Sequence, residues 1–201
     1  SSPVFADLDG DNRNELIFAT SDGIVHALRR DGSELPGWPA RGDAPPVHTG
    51  QPAFKSGAVP VPKGGAILGS VAVGDLDGDG SPEVVAADYD GRVYAWNASA
   101  KRIWTRHSEE RFSGKPLQAF VNERHGETDR TEHGFFASPV IADLDGDHKP
   151  EVVLAGADRH VYAWHGDGSA VGGFPFLVVD RSKVQSIDPA RVALVVDETT
   201  S

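Results

Sequence analysis

"DLDGDNRNE" spans Asp7–Glu15, "DLDGDGSPE" spans Asp75–Glu83 and "DLDGDHKPE" spans Asp143–Glu151, so one acidic phrase recurs at a constant step of 68 residues. Self-similarity at a fixed period marks a repeat architecture and is settled before any single element is assigned. The match runs on without a gap on both sides of the phrase. "SPVFADLDGD" from Ser2 aligns with "SVAVGDLDGD" from Ser70 and "SPVIADLDGD" from Ser138. "ELIFATSDGIVHAL" from Glu15 aligns with "EVVAADYDGRVYAW" from Glu83 and "EVVLAGADRHVYAW" from Glu151. "DGSELPGWP" from Asp31 returns as "DGSAVGGFP" from Asp167, where the middle copy reads "SAKRIWTRH" from Ser99. The chain therefore divides into copies 1–68, 69–136 and 137–201.

Each copy reads as strands. Short β-branched runs at Val4, Val71 to Val73 and Val140 to Ile141 precede the acidic phrase, and a second run, Leu16 to Ala19 in the first copy, follows it directly. Asp22-Gly23 and Asp90-Gly91 then signal a two-residue hairpin turn with positive φ, whereas the third copy carries Asp158-Arg159, which implies a looser or strained turn. The next strand alternates with period two, Val93 and Ala95 on one side against Tyr94 and Trp96 on the other, and Val161, Ala163, Tyr162 and Trp164 repeat the pattern. His26 and Leu28 stand at the aromatic positions of the first copy. We read the small side as packing on the next copy and the aromatic side as core. An aromatic binding platform is the alternative. The divergent stretches 40–68 and 105–136 are left to hold a fourth strand and long loops.

Composition agrees with an all-β chain. Its 201 residues are 39% hydrophobic, enough for a core, and 23 Gly with 14 Pro favour short elements and tight turns. The formal charge of −11, with no basic stripe among 19 Lys and Arg, excludes a nucleic-acid partner. Without cysteine there is neither a disulfide framework nor a thiolate metal site. No apolar run reaches the length of a membrane span, and no signal peptide opens the chain. The absence of methionine suggests a processed or excised piece, preceded by a removed signal or by further domains.

Side-chain oxygens fall at positions 1, 3, 5 and 9 of every acidic phrase: Asp7, Asp9, Asp11 and Glu15; Asp75, Asp77, Asp79 and Glu83; Asp143, Asp145, Asp147 and Glu151. Four carboxylates in one tight loop repel unless a cation sits among them, and Gly10, Gly78 and Gly146 let the backbone curl around it. Hard oxygen ligands in a flexible loop favour Ca²⁺ over Mg²⁺ or zinc. Position 7 varies as Arg13, Ser81 and Lys149, as expected if its backbone carbonyl is the ligand. An EF-hand is excluded, because position 12 is Phe18, Ala86 or Leu154 where a bidentate Glu is required. A metal-free Asp-Gly turn is the plain alternative for one copy, and three copies in register argue against it. Three bound Ca²⁺, one per repeat, would bring the formal charge from −11 to −5.

Strand, D-x-D-x-D-x-x-x-[DE] loop, strand, Asp-Gly turn and "VYAW" together resemble the FG-GAP or VCBS type of repeat, which occurs in the β-propeller of integrin α subunits and in many secreted bacterial proteins. The resemblance covers essentially the whole chain. "GRVYAWNASAKRIW" from Gly91 on its own is also similar to a quinoprotein-type propeller repeat. The Phe-Gly and Gly-Ala-Pro segments of the family are not spelled here, which sets the chain nearer the bacterial variety than an integrin. The resemblance implies one four-stranded β-propeller blade per copy, with the calcium loop between its first two strands. Three blades do not close a ring, so the chain is expected to form part of a larger one of roughly six to eight blades, completed by a longer chain or by self-assembly.

Two functions follow as expectations. The first is a non-catalytic, calcium-stabilised propeller module, secreted or at the cell surface, that binds a protein or carbohydrate ligand. The second is the propeller part of a calcium-dependent polysaccharide lyase of the rhamnogalacturonan-lyase kind, although no Ser/His/Asp arrangement, zinc motif or phosphate loop is present and no catalytic residue is assigned. Arg41-Gly42-Asp43 spells the integrin-recognition tripeptide, and His107, His125 and His133 punctuate the charged stretch "HSEERFSGKPLQAFVNERHGETDRTEH". That stretch, with Phe120, is the first candidate for a partner surface, because divergent loops on a repeated scaffold carry specificity.

Overall fold

The acid-bearing loops interrupt short runs of β-branched residues, and each run pairs across its loop. The computed structural model describes residues 1–45, 50, 52–58, 60–108, 134–178, 182, 184–188 and 193–196. The first sheet contains β1 (Val4–Ala6), β2 (Glu15–Ala19), β3 (Ile24–Leu28) and β4 (Ala40–Arg41) in sequential antiparallel order. After a single helical turn, α1 (Pro52–Lys55), come β5 (Ala72–Gly74), β6 (Glu83–Ala87), β7 (Arg92–Trp96) and β8 (Arg102–His107) in a second sheet. A third holds β9 (Val140–Ala142), β10 (Glu151–Ala155), β11 (His160–Trp164) and β12 (Phe176–Leu177). Register is preserved to the residue: Ile17 faces Val4, Val85 faces Ala72 and Val153 faces Val140. The pair β13 (Val184–Asp188) and β14 (Ala193–Val196) forms a separate two-stranded sheet inside the stretch read as the third copy.

The fourth strand is where the copies part. In the first and third sheets it has two residues and follows Pro39 or Pro175, which lacks the N–H that a longer ladder would use. The middle copy has no proline there, and β8 runs for six residues with a bulge opposite Ala95 and Trp96. It begins at Arg102, ahead of the divergent stretch expected to contain it. The hairpin turn also differs from the two-residue type expected. Thr20 N bonds Ile24 O and Gly23 N bonds Thr20 O, a three-residue loop whose last residue alone is left-handed. Gly23 and Gly91 take φ of 78° and 81°, and Arg159 takes the same conformation at 66°. The third turn is therefore not looser. A side chain accepts the strain, of about 1 kcal/mol.

The sheets stack face to face, each turning its small side to the next. Ile17, Ala19, Val25 and Ala27 share one core with Val84, Ala86, Tyr94 and Trp96. Val85, Ala87, Val93 and Ala95 share the second with Val152, Leu154, Tyr162 and Trp164. Tyr94 stacks on Trp96 at 5.3 Å and Tyr162 on Trp164 at 5.4 Å, and none of the four is more than 5% exposed, so they form core and no open platform. Burying each such ring contributes on the order of 2–3 kcal/mol. Polar links also repeat across the seams. The Ser2 amide donates to Ser70 Oγ at 3.0 Å and the Ser70 amide to Ser138 Oγ at 2.9 Å. Trp38 Nε1 donates to the Ala98 carbonyl and Trp104 Nε1 to that of Gly166, the same position one repeat on. Gly166 is required by proximity, since a Cβ there would stand 1.9 Å from Leu76 O.

Candidate metal centre

The acid loops join β1 to β2, β5 to β6 and β9 to β10, at the same end of each sheet. Strands on both sides confirm that no EF-hand is present. Each loop is built by its own carboxylates. The first Asp accepts the amide of the loop glycine on Oδ1, Gly10 at 2.8 Å, Gly78 at 2.7 Å and Gly146 at 2.7 Å. Its Oδ2 accepts the amide at position 6, from Asn12, Gly80 and His148. Positions 4 and 6 are both left-handed, as in Gly10 at 76° and Asn12 at 62°, and this double curl closes the loop within nine residues. Position 5 accepts the amide of position 7: Arg13 to Asp11, Ser81 to Asp79, Lys149 to Asp147. The closing Glu is buried in every copy and accepts the amide of the leucine at position 2, Leu8 to Glu15 at 2.9 Å, Leu76 to Glu83 at 2.8 Å and Leu144 to Glu151 at 2.8 Å.

These bonds use only part of the oxygen capacity, since each carboxylate oxygen accepts two bonds. Asp7, Asp9 and Glu15 bring oxygens within 4.8 Å of one another, as do Asp75, Asp77 and Glu83, and Asp143, Asp145 and Asp147. Asp11 and Asp79, also proposed as ligands, do not share those clusters; their position orders the loop through the position 7 amide. At that separation two carboxylates repel by about 1–3.5 kcal/mol, depending on exposure. Glu83 registers the crowding. Burial first, then Asp77, Asp79 and Asp75, push its carboxyl above the usual range, against the Leu76 amide that lowers it. The donors in the first two clusters are all oxygens, which fits a hard divalent cation of the calcium kind.

One position beside the loop escaped sequence reasoning. Arg29, Asn97 and His165 each lie 14 residues past the closing Glu, at the end of the third strand or just beyond it. Arg29 pairs with Asp9 at 3.2 Å, Asn97 caps its own turn through the Ser99 and Lys101 amides, and His165 Nδ1 meets Glu151 Oε1 at 3.1 Å. Asp145, Glu151 and His165 thus make a mixed oxygen and nitrogen cluster in the third copy. The signal available in the sequence was this column itself, which directly follows the aligned third strands and carries Arg, Asn and His in the three copies. Two clefts flank the first loop. One of about 450 Å³ lies between Asp7, Asp9 and Arg29 of the first sheet and Ser81, Ala98 and Ser99 of the second. Another, of about 580 Å³, is lined by Asp11, Arg13, Glu15, Arg29, Arg30 and Asp31.

A second buried network closes the hairpin of the middle sheet. Asp88 is fully buried and accepts the Tyr94 hydroxyl at 2.7 Å and the Arg92 amide at 2.9 Å, while the Asp43 amide donates to the Tyr94 oxygen. In the third sheet the Tyr162 hydroxyl donates to Asp158, which stands at the position of Asp90, Gly156 occupying that of Asp88. Burial raises the Asp88 carboxyl, and burial with the Asp88 charge pushes Asp90 up to about 6. The tripeptide Arg41-Gly42-Asp43 is held at the seam between the first two sheets. Arg102 bonds the Arg41 carbonyl and pairs with Asp43 at 2.7 Å, and Gly42 lies against the Tyr94 ring. An adhesive tripeptide needs a free Asp, and the Asp43 carboxylate is paired with Arg102 here, which opposes that role. His107 ends β8, while Phe120, His125, His133 and most of the charged stretch lie outside the described residues.

The family described as FG-GAP-like repeat matches residues 7–86 and again residues 75–154. Among solved structures, the chain is similar to BBS1N in complex with ARL6DN, soaked with lead, at TM-score 0.51 and 12% identity, covering 88% of this chain and 44% of that one. The same complex soaked with mercury gives TM-score 0.50 and 9% identity, covering 90% and 46%. BamB from Moraxella catarrhalis gives TM-score 0.44 at 16% identity, covering 97% and 49%. The chain thus spans less than half the length of each. No curated protein matches the sequence.

Proposed function

The chain belongs to the FG-GAP-like repeat family, and from that premise we propose that it is a calcium-stabilised β-propeller module, without catalysis of its own, that binds a protein or carbohydrate ligand outside the cell or at its surface. The observation that carries the calcium reading is the threefold loop: the same two left-handed residues, the same amide-to-carboxylate bonds and a buried Glu in every copy, with carboxylate clusters that repel unless a cation sits among them. Asp7, Asp9 and Glu15 would hold the first ion, Asp75, Asp77 and Glu83 the second, and Asp143, Asp145 and Asp147 with Glu151 the third. Position 7 carbonyls of Arg13, Ser81 and Lys149 and the carboxylates of Asp11 and Asp79 are the remaining oxygens within the loops. The ions would be structural, because they tie the turn between two strands and their binding energy adds to folding energy. Sites of this kind suit the calcium-rich extracellular space.

The ligand-binding reading rests on scaffold logic. A propeller of similar fold, BBS1N, holds a protein partner, ARL6DN. The loop ends beside the first acid phrase carry the two clefts, and the copies differ most in their connecting stretches. The test of calcium is direct. Calorimetric titration of the chelator-stripped protein is expected to count about three Ca²⁺ per chain, and each site at a hundred times its dissociation constant adds about 2.7 kcal/mol. EDTA and Asp77→Ala are each expected to lower the melting temperature. An unchanged melting curve with EDTA refutes the structural role.

A further inference from the structure

We propose that the third loop holds a borderline transition-metal ion of the zinc kind through Asp145, Glu151 and His165, a donor set that the first two loops do not have. The inference rests on the reading that the acid loops hold cations, and goes beyond it in naming which ion the third loop selects. In the first two copies the closing Glu shares a cluster with the acids at positions 1 and 3 of its own loop, Asp7, Asp9 and Glu15 or Asp75, Asp77 and Glu83. In the third copy that grouping divides. Asp143 clusters with Asp145 and Asp147, while Glu151 clusters with Asp145 and the imidazole of His165. Oxygen-only sites suit calcium, and an imidazole beside carboxylates suits zinc and its neighbours in the first transition row.

Two of the three donors are held in place by the fold itself. Glu151 is 0% exposed, and its Oε2 accepts the Leu144 amide at 2.8 Å, which leaves Oε1 against His165 Nδ1 at 3.1 Å. Bonds of about 2.1 Å from one zinc ion place neighbouring ligand atoms roughly 3.0–3.4 Å apart, so an ion fits these two donors with little movement. The backbone that carries the imidazole is fixed as well, since the His165 amide donates to the Ser169 carbonyl and the His165 carbonyl accepts the Gly168 amide. Asp145 is the exposed donor of the three, and its oxygen lies within 4.8 Å of both others. Asp145 closes onto the pair as the third ligand, and water completes a tetrahedral shell.

The turn after the third strand explains why this copy alone offers a nitrogen. In the second copy the Asn97 side-chain oxygen accepts the Ser99 and Lys101 amides, so the side chain is committed to capping the turn. In the third, Asp167 takes that duty through the Ser169 amide and hydroxyl, and His165 is left for the loop. In the first, Asp31 caps the turn in the same way through Ser33, but the residue beside the loop is Arg29, a cation that pairs with Asp9 and has no lone pair to give a metal. One column of the repeat thus holds a competitor for the ion, a bystander and a ligand. The plain alternative is a hydrogen bond from His165 to Glu151 that only braces the turn. A bound zinc ion takes the place of the proton in that bond, because a coordinating imidazole nitrogen must be free of it.

Calorimetric titration of the chelator-stripped chain with Zn²⁺, with Ca²⁺, and with Zn²⁺ after calcium saturation tests this. Zinc is expected to bind at the third loop about tenfold or more tightly than calcium does there, and to lower the calcium count by about one. His165→Asn, which installs the residue of the second copy, is expected to weaken that zinc site about tenfold or more and to leave the count in calcium alone unchanged. His148→Asn, on the same loop but outside the cluster, installs the residue of the first copy and is expected to change neither. Zinc binding that His165→Asn leaves as it was overturns the site, whatever the total bound. A variant that loses calcium at the third loop together with zinc shows that His165 is a brace, and overturns the nitrogen ligand. Three calcium ions and no zinc defeat this inference and leave the calcium reading standing, and one zinc with no calcium at any loop does the reverse.

Discussion

Replacing Glu83 with Gln should change stability in opposite directions with and without calcium. Glu83 is 2% exposed, and its oxygens share a 4.8 Å cluster with those of Asp75 and Asp77. Two like-charge pairs at that distance cost about 2 kcal/mol in total, toward the lower part of the Coulomb range because Asp77 is open to solvent. Gln keeps an oxygen for the Leu76 amide but makes it a neutral bond, which gives back about 1 kcal/mol. In EDTA the variant should therefore gain about 1 kcal/mol, or roughly 2–4 °C in melting temperature for a chain of this size. In calcium at a hundred times its dissociation constant the intact site contributes about 2.7 kcal/mol, and losing most of that, against the gain of about 1 kcal/mol, leaves the variant about 1.5 kcal/mol less stable. Differential scanning fluorimetry in the two buffers reads both signs. A shift of one sign and size in both buffers would show that Glu83 holds the loop through the Leu76 amide alone and that no cation is shared with Asp75 and Asp77.

Two further outcomes follow from the hairpin network of the middle sheet. The Asp90 carboxyl is raised to about 6 by burial and by Asp88, so the folded state holds its proton more tightly than the unfolded chain does. Its charge costs stability above pH 6, and that cost fades as pH falls through 6 toward 4. Asp90→Asn should be more stable by about 1–2 kcal/mol at pH 7.5, after allowance for partial exposure, and indistinguishable at pH 4; urea melts across that range check the sign. Tyr94→Phe leaves the fully buried Asp88 one donor short and strands the Asp43 amide, and should cost about 1–3 kcal/mol in the same melts. A loss below about 0.5 kcal/mol, the scale of an ordinary surface change, would contradict the bond assignment.

What the sequence made legible is what the three copies hold in common. The acid phrase, the strands on both sides of it and the small and aromatic sides of the third strand recur at one step, and each is governed by short-range rules: period-two alternation, glycine where the chain curls, alternating carboxylates in one loop. The Val and Ala side did pack on the next sheet, and Tyr94, Trp96, Tyr162 and Trp164 did form core. The closing Glu could be named as a ligand candidate, but its buried bond to the leucine amide could not, since that contact depends on how the loop folds back. Arg29, Asn97 and His165 were missed because they approach the acid loop only through the pairing of the second and third strands, 14 residues from the phrase.

The same distinction explains why the copies are not interchangeable. A shared residue reports a constraint on the scaffold, and a residue that differs at a shared place reports a local task. Arg29 gives the first loop a cation of its own, Asn97 gives the second none, and His165 gives the third an imidazole nitrogen against a buried Glu. If calcium fills all three loops, Arg29 must yield Asp9 to the ion and should weaken the first site relative to the second. Neutralising it by Arg29→Gln should then tighten one of the three sites and leave the other two unmoved. Calorimetry that finds three equal sites before and after the change would show that the Arg29 to Asp9 pair lies outside the ion's reach, and that the loops differ in what surrounds them and not in what they bind.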